Sequence, residues 1–447
     1  MNIMGELENG GPSCLADPGI TLDRAEPPSY TVPLMALGLL YFTFGFITCL
    51  NDILVPHLKA VFDLDYTRAM LIQMSFFSAY FVMSLPSGWL VDRIGYQKGM
   101  VLGLATMACA CLLFFPAAAS RVYAVFLAAL FLLASGITLL QVAANPYVAA
   151  LGRPETASSR LTLTQGFNSL GTTLAPLFGS VLILSGAAQG RHGLGALGAG
   201  AERLRGAEAA SVQAPYLGLA AALVALAAFT AWFRMPGAGP RAAGPGPGAQ
   251  PSPWKHRPML LGGIGIFLYV GAEVGIGSFL VNYISQLGLG GSSLARSALY
   301  VSFYWGGAMA GRFLGSAVMR RVPPGRVLAF NALAATALVL TAIFCTGPAA
   351  MVAILAVGFF NSIMFPTIFT LAIKDLGQNM GRASGILCMA VVGGAVVPVL
   401  QGLMADLGGI RMAFVLPVLC YGYIAFYGAL GHAPGASPSN PLRRSGA

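Results

Sequence analysis

Two carboxylic acids stand deep inside long apolar runs, where a charge is expensive. A charged side chain at the centre of a membrane-spanning helix costs about 2.5–3.5 kcal/mol on insertion scales. Of the 15 acidic residues, only Asp52 and Glu273 fall within such runs; Asp92, Asp375 and Asp406 fall at run ends. No Lys or Arg is expected at a matching central position to neutralise either acid permanently. An acid so placed takes and releases a proton as its access to water changes, which makes Asp52 and Glu273 candidates for proton coupling. The plainer alternative is a protonated, hydrogen-bonded structural acid.

Amides form a second group. Gln141 and Asn145 are four apart, and Gln165 and Asn168 three apart, so each pair shares one helix face. Asn51, Gln73, Asn282 and Asn361 lie in other apolar runs. An amide offers both donors and an acceptor, which suits a neutral ligand dense in hydroxyls. All eight are therefore candidate substrate contacts. The competing reading is helix-to-helix glue, worth about 0.6 kcal/mol per contact. Phe167, Tyr283, Tyr304 and Phe365 could stack on an apolar ring face, though in a chain with 27 Phe and 15 Tyr most aromatics face lipid or core.

The elements that must position these groups follow from composition. The chain has 447 residues, 57% hydrophobic and 9% charged, against about 25% charged in soluble domains. Too little charge is present to cover a water-facing surface, so lipid is the expected solvent. The apolar runs are continuous rather than alternating, which selects helices over strands. Twelve spans are expected at about 32–58, 70–92, 97–117, 121–150, 160–186, 213–233, 257–286, 295–318, 325–345, 349–374, 380–406 and 411–432. The predicted class is an all-α membrane protein. Its domains are a tail at 1–30, a six-helix half at 31–235, a Pro/Gly-rich linker at 236–256, a second half at 257–432 and a tail at 433–447.

The net charge is +10, but Lys and Arg sit between apolar runs. That argues against nucleic acid as a partner. Placing both termini in the cytoplasm puts most basic residues, Arg312 among them, on that side. The acidic first thirty residues lack the charge of a signal peptide. The cysteines show no metal-ligand spacing and no disulfide is expected. No cofactor is expected, and a monomer suffices.

Gly88-Trp-Leu-Val-Asp92-Arg93-Ile-Gly95-Tyr-Gln-Lys98 follows the second run. Gly lets helices approach closely, and an Asp can pair with a base or a helix N-terminus. Gly88, Asp92, Arg93 and Gly95, with Arg312, are candidate gating residues that latch one face closed; a plain charged turn is the alternative. The two predicted halves also look like distant repeats. Ser75-Phe76-Phe77, Gly88 and Arg93 fall 227 residues before Ser302-Phe303-Tyr304, Gly315 and Arg320, while Arg160, Gly171 and Pro176 fall 222 residues before Arg382, Gly393 and Pro398. Transporters built on such repeats bind substrate between them near the midplane.

The Gly88–Lys98 stretch resembles the loop signature of the major facilitator superfamily. Leu50-Asn51-Asp52-Ile53-Leu54, Ala143-Ala144-Asn145-Pro146, Leu163-Thr-Gln165-Gly-Phe167-Asn168-Ser169-Leu-Gly171, Tyr269-Val-Gly-Ala-Glu273, Gly311-Arg312-Phe313-Leu-Gly315 and Phe365-Pro366-Thr367-Ile368-Phe369 resemble its fucose/galactose/glucose proton-symporter family, and within it the glucose/galactose branch. The resemblance runs from about Tyr30 to Tyr427. It implies the major facilitator fold and monosaccharide–proton symport by alternating access in a bacterial inner membrane. It also implies Asp52 as coupling acid and Gln165 and Asn168 as sugar contacts. The fucose-type pattern has Glu where this chain has Gln141, Gln where it has Glu273 and Tyr where it has Phe365. The first two exchange one acid between helices, a trait of the glucose/galactose branch, and point away from fucose. Sodium in place of the proton is the alternative for the ion.

Other classes fare less well. A non-transporting sugar sensor would need a signalling module, and the tails are short and unpatterned. No nucleophile–base pair, metal cluster or phosphate loop marks an enzyme; the histidines are His57, His192, His256 and His432. An exporter of apolar drugs would have little use for the amide pairs.

Overall fold

In hydrocarbon every backbone donor and acceptor must be satisfied by the protein itself, and a helix does this within one segment, so the continuous apolar runs become helices. A computed structural model describes residues 30–62, 66–120, 122–179, 201–233, 235–236, 252–288 and 294–432; within these, side chains are described outside 50–62, 66–73, 118–120, 176–179, 201–215, 294–299 and residue 378. The helices are α1 (Thr31–Phe62), α2 (Tyr66–Ile94), α3 (Tyr96–Ser120), α4 (Tyr123–Ala150), α5 (Ala157–Gly179), α6 (Ala201–Trp232), α7 (Arg257–Gln286), α8 (Leu294–Val318), α9 (Pro324–Phe344), α10 (Gly347–Asn361), α11 (Met364–Ala372), α12 (Met380–Met389), α13 (Gly393–Ala413) and α14 (Val415–Phe426). The described residues contain no strand.

Eight helical stretches among the described residues are long and apolar enough to cross a membrane: Thr31–Cys49, Met74–Ile94, Tyr96–Ala117, Tyr123–Ala150, Arg257–Gln286, Pro324–Phe344, Gly347–Ala372 and Met380–Ala413. The chain is an integral membrane protein. The 236–256 linker largely lies outside the described residues; a short 3-10 helix at Pro253–Lys255 is its described end.

Two departures from the expected spans bear on the site. The run at 349–374 is not one helix: α10 stops at Asn361, Ser362 and Ile363 turn, and α11 restarts at Met364. Pro366 supplies the reason. It has no N–H to give the carbonyl four residues back, which is that of Ser362. The run at 380–406 is likewise interrupted by a 3-10 turn at Ala390–Val392. Such turns inside helices mark hinges or functional strain.

α1 lies along α5, α2 along α4, and α3 along α4 and α6; α7 lies along α13 and α14, and α9 along α10 and α14. α2 also touches α12, and α5 touches α8 and α11. Close approach of α1 to α5 requires Gly171: a methyl there would overlap the Phe42 carbonyl. The same contact recurs at Gly393, where a methyl would overlap the Phe267 carbonyl. Overpacking costs about 1–3 kcal/mol. Gly171→Val is expected to lower the unfolding temperature in detergent and cut the yield of monodisperse protein, read by thermal-shift and size-exclusion profiles.

Candidate functional site

Polar side chains from four helices converge on one cavity of about 150 Å³. α4 contributes Gln141, α5 contributes Gln165 and Asn168, α7 contributes Tyr269 and Glu273, and α8 contributes Arg312. Phe44, Val270, Phe365, Pro366 and Val391 complete the wall. The lining thus includes Pro366 of the broken tenth run and Val391 of the 3-10 turn. Irregular backbone at membrane depth is tolerated where it faces a cavity.

Arg312 is the main correction to the sequence reading, which left both acids without a central cation. It lies on α8 facing the cavity rather than among loop charges, and its Nη2 is 3.9 Å from Glu273 Oε1. Its Nε donates to the Ser362 carbonyl at 3.3 Å. That is the carbonyl Pro366 leaves unpaired, so the helix break and the arginine satisfy one another. Nη1 donates to the Gln165 carbonyl at 3.4 Å and to the Ser169 hydroxyl. One planar guanidinium therefore ties α8 to α5, α7 and the break after α10. Glu273 Oε1 accepts no hydrogen bond; at 3.9 Å its attraction to Arg312 is Coulombic only.

The amides divide. Gln141 lines the cavity and donates to the Tyr80 hydroxyl at 2.8 Å. Gln165 lines it, as does Asn168, which also donates to the Tyr41 carbonyl at 3.1 Å. Asn145, on the face of Gln141, is wholly buried and accepts from the Tyr41 hydroxyl. Asn361 is wholly buried and donates to the Tyr304 hydroxyl at 2.8 Å. Asn145 and Asn361 are held by neighbouring tyrosines and neither lines the cavity. Asn282 is exposed near the end of α7, away from the lining. The side chains of Asn51, Asp52 and Gln73 lie outside the described residues. Among the aromatics, Phe365 lines the cavity; Phe167 meets Phe313 edge to face at 5.9 Å, and Tyr283 and Tyr304 are core. Phe44 and Tyr269 were missed, because an aromatic in an apolar run carries no sequence signal of its own.

One end of the molecule is closed by two seams. Along the first, α2 meets α12: Asp92 Oδ2 lies 3.3 Å from Arg382 Nε, and Asp92 accepts from the Gly381 and Arg382 amides at the start of α12. A methyl on Gly88 would sit 2.8 Å from the Gly381 carbonyl oxygen, and one on Gly381 would overlap the Asp92 carboxylate. Ser384 adds a bond to the Val142 carbonyl at 2.9 Å. Along the second, α5 meets α8 and α11 through hydroxyls. Ser159 donates to the Ser316 carbonyl at 2.7 Å and Ser316 to the Ser159 carbonyl at 2.8 Å; Ser158 and Thr370 are 2.6 Å apart. Arg93 lies over the Trp89 ring at 3.6 Å, and Gly95 ends α2 with φ of +86°.

Residues 37–391 match the family model described as "Major Facilitator Superfamily". The chain belongs to the major facilitator superfamily. It is 54% identical over 409 residues to the glucose/galactose transporter of Brucella abortus biovar 1 (strain 9-941), covering 92% of this chain and 96% of that one. It is 33% identical to the L-fucose-proton symporter of Escherichia coli K12, over 91% of this chain and 94% of the other. The crystal structure of that superfamily's FucP in the outward conformation matches with a TM-score of 0.81 at 32% identity, over 89% of this chain and 98% of the other. The chain falls in the fucose/galactose/glucose symporter family, with its glucose/galactose branch. Within that family the cavity gains a further meaning. Gln141, Glu273 and Phe365, the three departures from the fucose-type pattern, all line it.

Proposed function

We propose that this protein carries a monosaccharide, glucose or galactose first, across the inner membrane in symport with a proton, by alternating access. The observation that carries the reading is the cavity itself. Amides from α4 and α5 face Glu273 and Arg312 from α7 and α8 across it, and an aromatic ring lies alongside. A pyranose offers donors and acceptors all round its rim, and amides answer both. Glu273 Oε1, which accepts no hydrogen bond, is placed to accept one from a hydroxyl. The glucose/galactose transporter and fucose-proton symporter relatives support the same class of cargo and ion.

The layout proposed is twelve spans in two six-helix halves, 31–235 and 257–432, with both termini cytoplasmic. The recurrence of the Gly171–Phe42 contact at Gly393–Phe267 supports the duplication. The Asp92 end is then the cytoplasmic face, closed as the cavity awaits substrate from outside. Asp52 loads a proton, sugar binds, the halves rock and both ligands leave into the higher pH of the cytoplasm. Glu273, balanced by Arg312, tunes that proton rather than carrying it alone. Gly88, Asp92, Arg93 and Gly95 hold the closed end.

The test is uptake of radiolabelled glucose, galactose and fucose into proteoliposomes under an imposed proton gradient and then a sodium gradient, for wild type and Asp52→Asn. Proton-driven accumulation of glucose or galactose is expected in wild type, with the variant retaining exchange alone. Accumulation driven by sodium alone would remove the proton step and keep the cargo. No accumulation under either gradient would remove the cargo too.

A further inference from the structure

A second cavity, of about 400 Å³, opens on the outer face of the bundle between α8, α9 and the end of α10. Its walls are mostly apolar, with Leu314 and Val318 from α8, Phe330 from α9 and Phe360 from α10, and Asn331 of α9 as a polar exception. Leu314, Val318 and Phe330 are exposed, so they face hydrocarbon. At its floor lies Ser362, 1% exposed, whose hydroxyl has no hydrogen-bond partner. At its mouth is Arg326, exposed and lining the same cavity. Arg320 and Arg321 flank it in the turn between α8 and α9, and that turn contains no acidic residue. None of the three guanidiniums has a carboxylate partner among the described residues. A deep apolar slot under unpaired arginines matches a molecule with a hydrocarbon chain and an anionic head, since basic pockets between membrane helices hold phospholipid headgroups.

We propose that this cavity is a specific site for an anionic phospholipid, with one acyl chain in the slot between α8 and α9 and the phosphate on Arg326. The slot and the transport cavity adjoin at Ser362 and at Gly311, the neighbour of Arg312. Ser362 floors the slot with its side chain, while its carbonyl holds Arg312. A chain pressed on the end of α10 bears on the backbone that positions the guanidinium. The binding claim stands apart from the sugar and the ion.

Native mass spectrometry of the full-length protein in detergent, doped with phosphatidylglycerol or phosphatidylcholine, tests it. Wild type is expected to retain one phosphatidylglycerol in preference to phosphatidylcholine. One basic residue near a lipid surface is worth roughly five-fold in affinity, so Arg326→Gln should weaken retention by about that factor. Val318→Trp, which fills the slot, should abolish the preferential site; both variants are checked for unchanged elution and thermal unfolding. If soluble glycerol phosphate competes as well as the whole lipid, the arginines form an anion site and the acyl-chain claim fails. Equal retention of the two lipids, or full retention by both variants, overturns the proposal.

Discussion

Replacing Arg312 with Gln should reduce sugar accumulation by at least 100-fold, the largest single effect expected in the molecule. Removing one partner of a buried ion pair costs about 3–5 kcal/mol, because the other charge is left without compensation. Here the loss spreads further. Ser362 also loses the donor that replaces the one Pro366 lacks, and Ser169 and Gln165 lose the tie from α8 to α5. Arg312→Lys should fail almost as badly, since an ammonium is a point charge and cannot span these acceptors as a planar fork does. Glu273→Gln combined with Arg312→Gln should regain thermal stability relative to Arg312→Gln alone, with accumulation still low. The measurements are proteoliposome uptake and thermal unfolding of the four proteins as a double-mutant cycle. Wild-type uptake by Arg312→Lys would show that a point charge suffices, and additive stability losses would show that Glu273 and Arg312 do not interact.

The second large effect is expected at Gly381. A valine there would drive its side chain into the Asp92 carboxylate and separate α2 from α12. The closed end could not form, so accumulation should fall at least ten-fold. In the same protein, a cysteine placed at Ser159, which is buried in the wild type, should react at least ten-fold faster with an impermeant maleimide applied from the Asp92 side. Asp92→Asn should act more weakly. Its partner Arg382 is more than half exposed, and such pairs contribute about 0–1 kcal/mol; asparagine also still accepts from the α12 amides. Steric wedging therefore outweighs loss of charge here. Unchanged labelling in Gly381→Val would show that the first seam does not hold this end shut.

Much of the site was legible because polarity in an apolar run is conspicuous. Glu273, Gln141, Gln165 and Asn168 were all singled out on that ground and all reach the cavity. Periodicity says which residues share a face, not what the face meets. Asn145 shares a face with Gln141, yet one turn along the helix it meets a tyrosine 104 residues away in sequence instead of the cavity. Arg312 was misplaced for a related reason. Near the end of a predicted span, a basic residue reads as a loop charge, and depth within a tilted helix cannot be counted from its ends. The signal that could have found it was Pro366: a proline inside a span frees a carbonyl, and in hydrocarbon that carbonyl must find a donor. The break at Ser362 was hidden because hydropathy averages over backbone geometry.

Apart from the Asp92 carboxylate, the close approaches of the seam between α2 and α12 are main chain, with Gly88 against the Gly381 carbonyl and Gly385 against that of Ser84. Side chains yield when pressed, because they change rotamer; peptide groups already in contact have nowhere to go, and repulsion between them rises steeply. In the proposed transport cycle the seam would therefore act as a hard mechanical stop rather than as a spring. Every closing stroke in that cycle would end at the same depth, whatever cargo is aboard, and differences among sugars would fall on how readily the stop is left.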